Sequence, residues 1–191
     1  MLHIEVEDIQ NLLFEDAISN RCLDAYVNEL MKNHSDVVPK FDLNTPVPKS
    51  FIFSSFFLDT IRNKDQNKVK AMLGKVMRKS VGARFLLFPI LIRFHWTLLV
   101  LDKDEGCWKF YNSLKPRSGK DEYCNATNLL RQVVAAYVNI DQREPCKRNI
   151  TDKVEIQKNC PQQPTGRKVL FIIFYQKKLQ LLLIRNVSSQ S

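Results

Sequence analysis

The sequence lacks the segments that mark secreted and membrane-spanning proteins. Its longest apolar stretch, "VLFIIFY" at residues 169–175, is too short to cross a bilayer and is followed by Gln176, Lys177 and Lys178. The amino terminus has no basic start followed by an apolar run, so we expect no signal peptide. These absences predict an intracellular protein, nuclear or cytoplasmic, with no membrane association.

Cysteine is sparse and scattered. The chain has five cysteines and no C-x-x-C pair, and a zinc site needs clustered ligands, so we expect neither a metal nor another cofactor. An odd number of cysteines without a signal peptide predicts reduced thiols rather than a disulfide framework. The cysteines are Cys22, Cys107, Cys124, Cys146 and Cys160.

What the sequence contains is typical of one globular domain with an uneven charge. The 191 residues, 45% of them hydrophobic and 26% charged, predict a single domain over 1–191. Residues 1–60 hold 4 Lys/Arg and 10 Asp/Glu, whereas residues 61–191 hold 25 and 10. The basic part would attract an acidic partner or nucleic acid, although a solvated basic face explains the same composition.

The hydrophobic periodicity predicts an α+β fold with a central mixed sheet flanked by helices. Residues 19–34 form a core-facing amphipathic stripe, with Ser19 or Asn20 available as N-cap. The sequence further predicts, in chain order, a buried strand within 50–57, a helix over 67–79 with lysines on its solvent-exposed side, apolar strands at 83–92 and 95–102, a strand at 107–114, a helix over 125–138 capped by Asn125, and a short strand at 153–157.

The segment "HWTLLVLDKDEGCWKFYNSL" at residues 95–114 predicts a hairpin centred between Asp104 and Glu105. This register pairs Asp102 with Cys107 and makes His95 and Asn112 diagonal neighbours on one face, within hydrogen-bonding reach. Residues 96, 98 and 100 then point to the opposite face, where we expect the core. A loop of odd length would separate the histidine from the asparagine.

A histidine beside an asparagine is half of the machinery of a thiol protease. In such enzymes the histidine is the general base for a cysteine, and a third group holds its ring in the productive tautomer. A carboxamide oxygen can do this, although it adds no charge. The spacing alone also fits a surface histidine near a turn-proximal asparagine.

Three motifs in the same order resemble the ubiquitin-like-protein-specific cysteine proteases, the SUMO-processing family related to adenovirus protease and papain-like folds. They are "HWTLLVLD", "WKFYNSL" and "CPQQPTG" at residues 160–166, and "EDIQNLLFEDAISNRCLDAYVNEL" is similar to the opening of that family. The resemblance runs from about residue 7 to about residue 175, whereas residues 167–191 are divergent. It implies a cysteine-protease-like fold and hydrolysis after the Gly-Gly end of SUMO or a relative.

The resemblance assigns roles by position. His95 corresponds to the general base, Asn112 to its orienting partner, and Gln163 to the donor that binds the oxyanion. Trp96 corresponds to one of two tryptophans that clamp the Gly-Gly tail, and Ala17 replaces the other. For Trp96, plain core packing is an equally good interpretation.

The nucleophile that the family requires is missing. It should lie six residues after Gln163, where the sequence has Val169, and valine cannot form a thiolate. Cys160 precedes Gln163 and is a poor substitute. We therefore expect no turnover. The loss reflects a binding-only domain, a decayed gene copy or a coding-sequence error after Gly166. The competing hypothesis is a non-catalytic basic module that binds a ubiquitin-like protein or nucleic acid.

Overall fold

The protein is described by a computed structural model. It describes residues 4–14, 18–33, 50–63, 65–92, 95–113, 122–140, 150, 153–157 and 160. The chain divides into two compact units, one formed by residues 1–48 with 163–191 and the other by residues 49–162. The prediction of one domain over 1–191 stays a prediction.

The first unit contains two described helices, α1 (Val6–Phe14) and α2 (Asn20–Asn33). The Ser19 hydroxyl oxygen accepts a hydrogen bond from the backbone N–H of Cys22 at 3.2 Å. Ser19 is therefore the N-cap of α2, because its side chain satisfies an amide that has no partner within the helix. This confirms one of the two caps that the sequence offered.

The predicted apolar stripe of α2 is buried only in part. Leu23 and Val27 are buried, whereas Tyr26 is 45% exposed. Leu30 and Met31 complete the stripe in the sequence, but their side chains lie outside the described residues. The core-facing side of α2 is therefore narrower at Tyr26 than the sequence predicts.

The described residues of the second unit form a mixed five-stranded sheet with three helices, which confirms the predicted α+β class. The strands follow the order β1-β2-β3-β4-β5, with parallel pairs at both edges and antiparallel pairs in the middle. The elements in chain order are β1 (Ser50–Ile52), α3 (Phe57–Asn63), α4 (Gln66–Lys79), β2 (Phe85–Ile92), β3 (His95–Asp102), β4 (Cys107–Tyr111), α5 (Glu122–Ile140) and β5 (Val154–Ile156).

Two element boundaries differ from the prediction. The strand expected within 50–57 ends at Ile52, and the chain then turns into α3 at Phe57. Helix α5 begins at Glu122, so Asn125 lies inside the helix and the prediction that it is the N-cap is wrong. The extra turn of α5 brings Tyr123 into the helix.

The main hydrophobic core lies on the same face of the sheet as His95, not on the opposite face. Leu99 and Leu101, which share the parity of His95 along β3, belong to the buried cluster with side chains from α3, α4 and α5. Trp96 and Val100 point to the other face, as predicted, and are also buried there. The expectation that they point into a core is confirmed by this burial, but the larger cluster lies on the His95 face, so both faces of β3 are covered.

Helices α4 and α5 approach each other closely at Gly74. A Cβ atom built on Gly74 would lie 2.8 Å from the hydroxyl oxygen of Tyr137 on α5. Glycine in a helix interior costs about 1 kcal/mol relative to alanine. The missing side chain at Gly74 therefore makes room for Tyr137.

None of the described helices is long and apolar enough to span a membrane.

A charged cluster closes the β3–β4 hairpin. Asp102, only 1% exposed, accepts two hydrogen bonds from the Arg84 guanidinium, at 3.0 Å and 2.9 Å. The same carboxylate accepts from the backbone N–H groups of Asp104 and Glu105, at 3.1 Å and 3.3 Å. Gly106 completes the loop at φ 65°, in the left-handed region that glycine favours. The four-residue loop thereby fixes the register of the hairpin.

Candidate active site

The hairpin register places His95 and Asn112 together. Asp102 pairs with Cys107 and Leu98 with Tyr111, as the sequence predicts. Asn112 follows the last residue of β4 and lies on the His95 face. The His95 Nε2 and Asn112 Oδ1 atoms are 2.9 Å apart, so the predicted hydrogen bond between them is confirmed. The catalytic roles of these two residues stay predictions.

This contact determines the tautomer of the imidazole. A carboxamide oxygen only accepts hydrogen bonds, so the Nε2 atom of His95 must carry a proton to form the bond with Asn112. In the neutral ring the lone pair then belongs to Nδ1. Nδ1 is therefore the atom of His95 that can take a proton from a nucleophile.

Two further side chains contact the His95 ring. The Ser113 hydroxyl oxygen lies 3.5 Å from Nε2, and Ser113 is only 1% exposed. The ring of Tyr123 meets the imidazole edge to face, with centroids 5.6 Å apart and planes at 85°. The Tyr123 hydroxyl donates to the Ile92 carbonyl at 3.1 Å, and Ile92 pairs with His95 across β2 and β3. His95 itself is 7% exposed.

Sequence reasoning missed Tyr123 as a neighbour of His95. The predicted start of its helix at Asn125 left Tyr123 in a loop, and no spacing rule connects it to a strand 28 residues earlier. Ser113 had a signal, because it belongs to the "YNSL" motif that carries Asn112. The alternation of side chains along β4 ends at Asn112, so the inward direction of Ser113 could not be derived from it.

Trp96 lies next to His95 in sequence but on the opposite face of β3. Its side chain is 6% exposed and it pairs with Leu91 on β2. Burial of this ring fits core packing. The substrate-binding role of Trp96 stays a prediction.

The remaining predicted positions lie outside the described residues. These are Gln163, the expected oxyanion donor, Val169, which stands at the expected nucleophile position, and Ala17, which replaces a clamp tryptophan. Their convergence around His95 is therefore still a prediction from sequence.

Two of the described cysteines, Cys107 and Cys160, are poor nucleophile candidates. Burial and a hydrogen bond to Glu105 raise the pKa of Cys107 to about 11, and this thiol lies at the far end of the hairpin from His95. Cys107 pairs with Asp102, which lies seven residue steps along β3 from His95, a distance of about 23 Å in an extended strand. Cys160 is only 5% exposed, which shields it from a macromolecular substrate. Among the described cysteines none forms a disulfide.

No group of three His, Cys, Asp or Glu side chains suited to a metal ion occurs in the described ranges. The described side chains at this site supply an oriented imidazole with a proton-accepting Nδ1 at a buried strand end.

Comparison with known proteins identifies related domains. The model of the Ulp1 protease family, C-terminal catalytic domain, matches residues 21–167. A solved de-sumoylating protease is similar in fold, with a TM-score of 0.66 at 17% identity, covering 95% of this chain and 70% of that one. The C-terminal Ulp1 protease domain in complex with Smt3, the yeast ortholog of SUMO, gives a TM-score of 0.57 at 20% identity, covering 87% and 66%.

A third structure extends the range of relatives. The effector protein XopD of Xanthomonas campestris, solved bound to ubiquitin, gives a TM-score of 0.54 at 16% identity and covers 91% of this chain and 77% of that one. At these identities the likeness supports the fold. This chain spans about two thirds of the length of the Ulp1 structures. No curated protein sequence matches the chain.

Proposed function

Because the chain belongs to the Ulp1 protease family, we propose that it binds a ubiquitin-like modifier and is impaired in hydrolysis of the bond after Gly-Gly. The observation that carries the proposal is the hydrogen bond between His95 and Asn112, which orients a general base at the end of the central hairpin. The structures of similar fold are described as a de-sumoylating protease and as complexes with Smt3 or ubiquitin, which supports a partner of this class.

The proposed mechanism assigns one task to each group. Asn112 holds the Nε2 proton of His95, so that, if residue 169 were a cysteine, Nδ1 would accept the proton of the attacking thiol and later return it to the leaving amine. Gln163 donates a hydrogen bond to the oxygen on which negative charge develops, and loss of one such donor typically costs about 10²–10³ in rate. Valine at position 169 has no acidic hydrogen and forms no acyl intermediate.

We expect the purified protein to bind SUMO or a relative and to leave its precursor uncleaved. Binding is measured by calorimetry, and cleavage by the mass of the precursor after incubation with a catalytic amount of protein. Cleavage by the unaltered chain would contradict the impairment, and exchange of each cysteine would then identify the thiol. Failure to bind SUMO and ubiquitin alike would contradict the proposed partner class.

The variant Val169→Cys tests the position of the nucleophile. We expect it to form a covalent adduct with a ubiquitin-like protein that carries an electrophile at its C-terminal glycine. The matched control is Val169→Cys combined with His95→Ala, which keeps the thiol and removes the base, and its adduct should form at least tenfold more slowly. An adduct that forms equally fast in both proteins would show that His95 does not activate a thiol at residue 169.

Trp96 is proposed to contact the Gly-Gly tail. We expect Trp96→Phe to keep most of the packing and to weaken binding of a modifier ending in Gly-Gly, relative to the same modifier shortened by two residues. An equal change in both affinities would assign Trp96 to the core alone.

A specific surface supports the second candidate, a basic binding module. Lys68, Lys75 and Lys79 lie within about 40° of one another around α4, at 100° per residue, and all three are exposed. In the described part of the chain none of them forms an ion pair. Binding of single-stranded nucleic acid that weakens steeply with salt, and weakens further in the triple Lys→Gln variant, would favour this candidate. Modifier binding that persists at high salt favours the protease scaffold.

A further inference from the structure

The environment of His95 contains a contact that comes from a different part of the chain. Tyr123 is in the first turn of α5, whereas His95 is the first residue of β3. The two residues are far apart in sequence and are brought together by tertiary packing. Their rings meet nearly at right angles with centroids 5.6 Å apart, which lies within the range of favourable edge-to-face aromatic pairs. The contact restricts rotation of the imidazole about its χ2 angle.

The position of the Tyr123 ring is itself fixed. Its hydroxyl donates to the carbonyl of Ile92 at 3.1 Å, and Ile92 is the β2 partner of His95. One side chain therefore contacts both the general base and the backbone of the strand residue beside it. A rotation of the imidazole by 180° about χ2 would move Nε2 away from Asn112 and break the 2.9 Å bond.

We infer that Tyr123 is a positioning residue that holds the His95 ring in the orientation in which Nε2–H donates to Asn112 and Nδ1 is the proton acceptor. The catalytic part of this inference rests on the proposed function, because the orientation of Nδ1 affects catalysis only if the nucleophile position of the family faces it. Its physical content, the orientation and tautomer of one imidazole, can be measured in the free protein.

The test is the tautomer of His95 by nitrogen NMR. The imidazole nitrogens of the full chain are labelled with ¹⁵N and their shifts are read at about pH 9, where an unperturbed imidazole is neutral. In the unaltered protein we expect the shifts of one tautomer, protonated at Nε2. In Tyr123→Leu, which removes the ring and the hydroxyl, we expect the two nitrogen shifts to move toward each other because both tautomers are populated.

Tyr123→Phe and Tyr137→Leu complete the set. The first keeps the ring and removes the bond to Ile92, so a smaller movement of the shifts is expected. The second removes a half-buried tyrosine ring further along α5 that packs at Gly74, so it has a comparable structural cost and should leave the His95 shifts unchanged. Circular dichroism and thermal unfolding establish that each variant is folded.

The inference is overturned if folded Tyr123→Leu retains the single tautomer, or if Tyr137→Leu moves the His95 shifts equally. Should Tyr123→Leu fail to fold, Tyr123→Phe decides alone, and unchanged shifts in that variant overturn the inference. A protein that shows the expected tautomer pattern and binds no ubiquitin-like modifier would refute the proposed function and leave the role of Tyr123 intact. A protein that binds a ubiquitin-like modifier but keeps a single His95 tautomer in Tyr123→Leu would refute only the role of Tyr123.

Discussion

The charged cluster at Asp102 should be the strongest single polar contribution to the β3–β4 hairpin. Its carboxylate is 1% exposed and accepts from both the Arg84 side chain and two loop amides. Removing one partner of a buried ion pair typically costs about 3–5 kcal/mol, because the other charge is left unpaired. Arg84 keeps 26% exposure and can recover water, so we expect about 2–4 kcal/mol for Asp102→Ala.

Asp102→Asn separates charge from hydrogen bonding. The amide oxygen can still accept from Asp104, Glu105 and the Nε atom of Arg84, whereas the amide nitrogen in place of Oδ2 cannot accept the second bond from Arg84, so we expect about 1–3 kcal/mol. The matched control is Asp104→Asn, since that carboxylate is 31% exposed and 3.6 Å from Arg84 Nε, and it should cost less than about 1 kcal/mol.

The free energy of unfolding of each variant is measured by urea titration at pH 7. The expected order of stability is the unaltered protein, then Asp104→Asn, Asp102→Asn and Asp102→Ala. Hydrogen exchange at the amides of residues 104 and 105 should quicken in Asp102→Ala. If Asp102→Asn costs no more than Asp104→Asn, the cluster does not hold the loop as we argue.

Three other changes test separate contacts. Gly74→Ala should be neutral or destabilising in the unaltered protein, because the Tyr137 hydroxyl obstructs the new Cβ atom. In the Tyr137→Phe background the same change should stabilise the protein by about 1 kcal/mol. Equal changes in the free energy of unfolding in both backgrounds, measured by urea titration, would refute the contact. Glu105→Gln should lower the pKa of Cys107 and speed its alkylation by iodoacetamide at about pH 8.5 several-fold, since a neutral acceptor disfavours the thiolate less; an unchanged rate of the Cys107 peptide would contradict this. The hydrogen bond from Lys109 lowers the pKa of Glu105, so this stabilisation is present above about pH 4.3 and is lost as the pH falls through the lowered pKa; Lys109→Met should reduce the acid-dependent loss of stability, and an identical pH profile would exclude the pair as its source.

The hairpin could be predicted from sequence because its information is local. The "KDEG" loop has an even number of residues, so a symmetric turn pairs Asp102 with Cys107 and the two-residue period of a strand places His95 with Asn112. Helix α4 was predicted within one residue of its start because its apolar side chains recur at helical spacing; the structure adds Asp65 as its N-cap.

The rest depends on contacts that sequence spacing does not encode. Asn125 resembles a cap, but Glu122 and Tyr123 continue the helix because the tyrosine finds partners at His95 and Ile92. The larger core on the His95 face was missed because β3 is apolar on both faces, and alternation cannot distinguish a sheet covered on both sides from one covered on one side. The family relation came from motifs rather than from periodicity.

The outermost strands of the sheet, β1 and β5, have three residues each. A long, flat edge strand can pair through its main chain with a strand of another molecule. Very short edge strands are one way in which natural proteins prevent such association. The described sheet therefore offers little template for self-association, and it can keep a strongly apolar interior without recruiting copies of itself. On the described edges a partner finds few main-chain groups to pair with, so we expect side chains to contribute more to recognition there than an added strand.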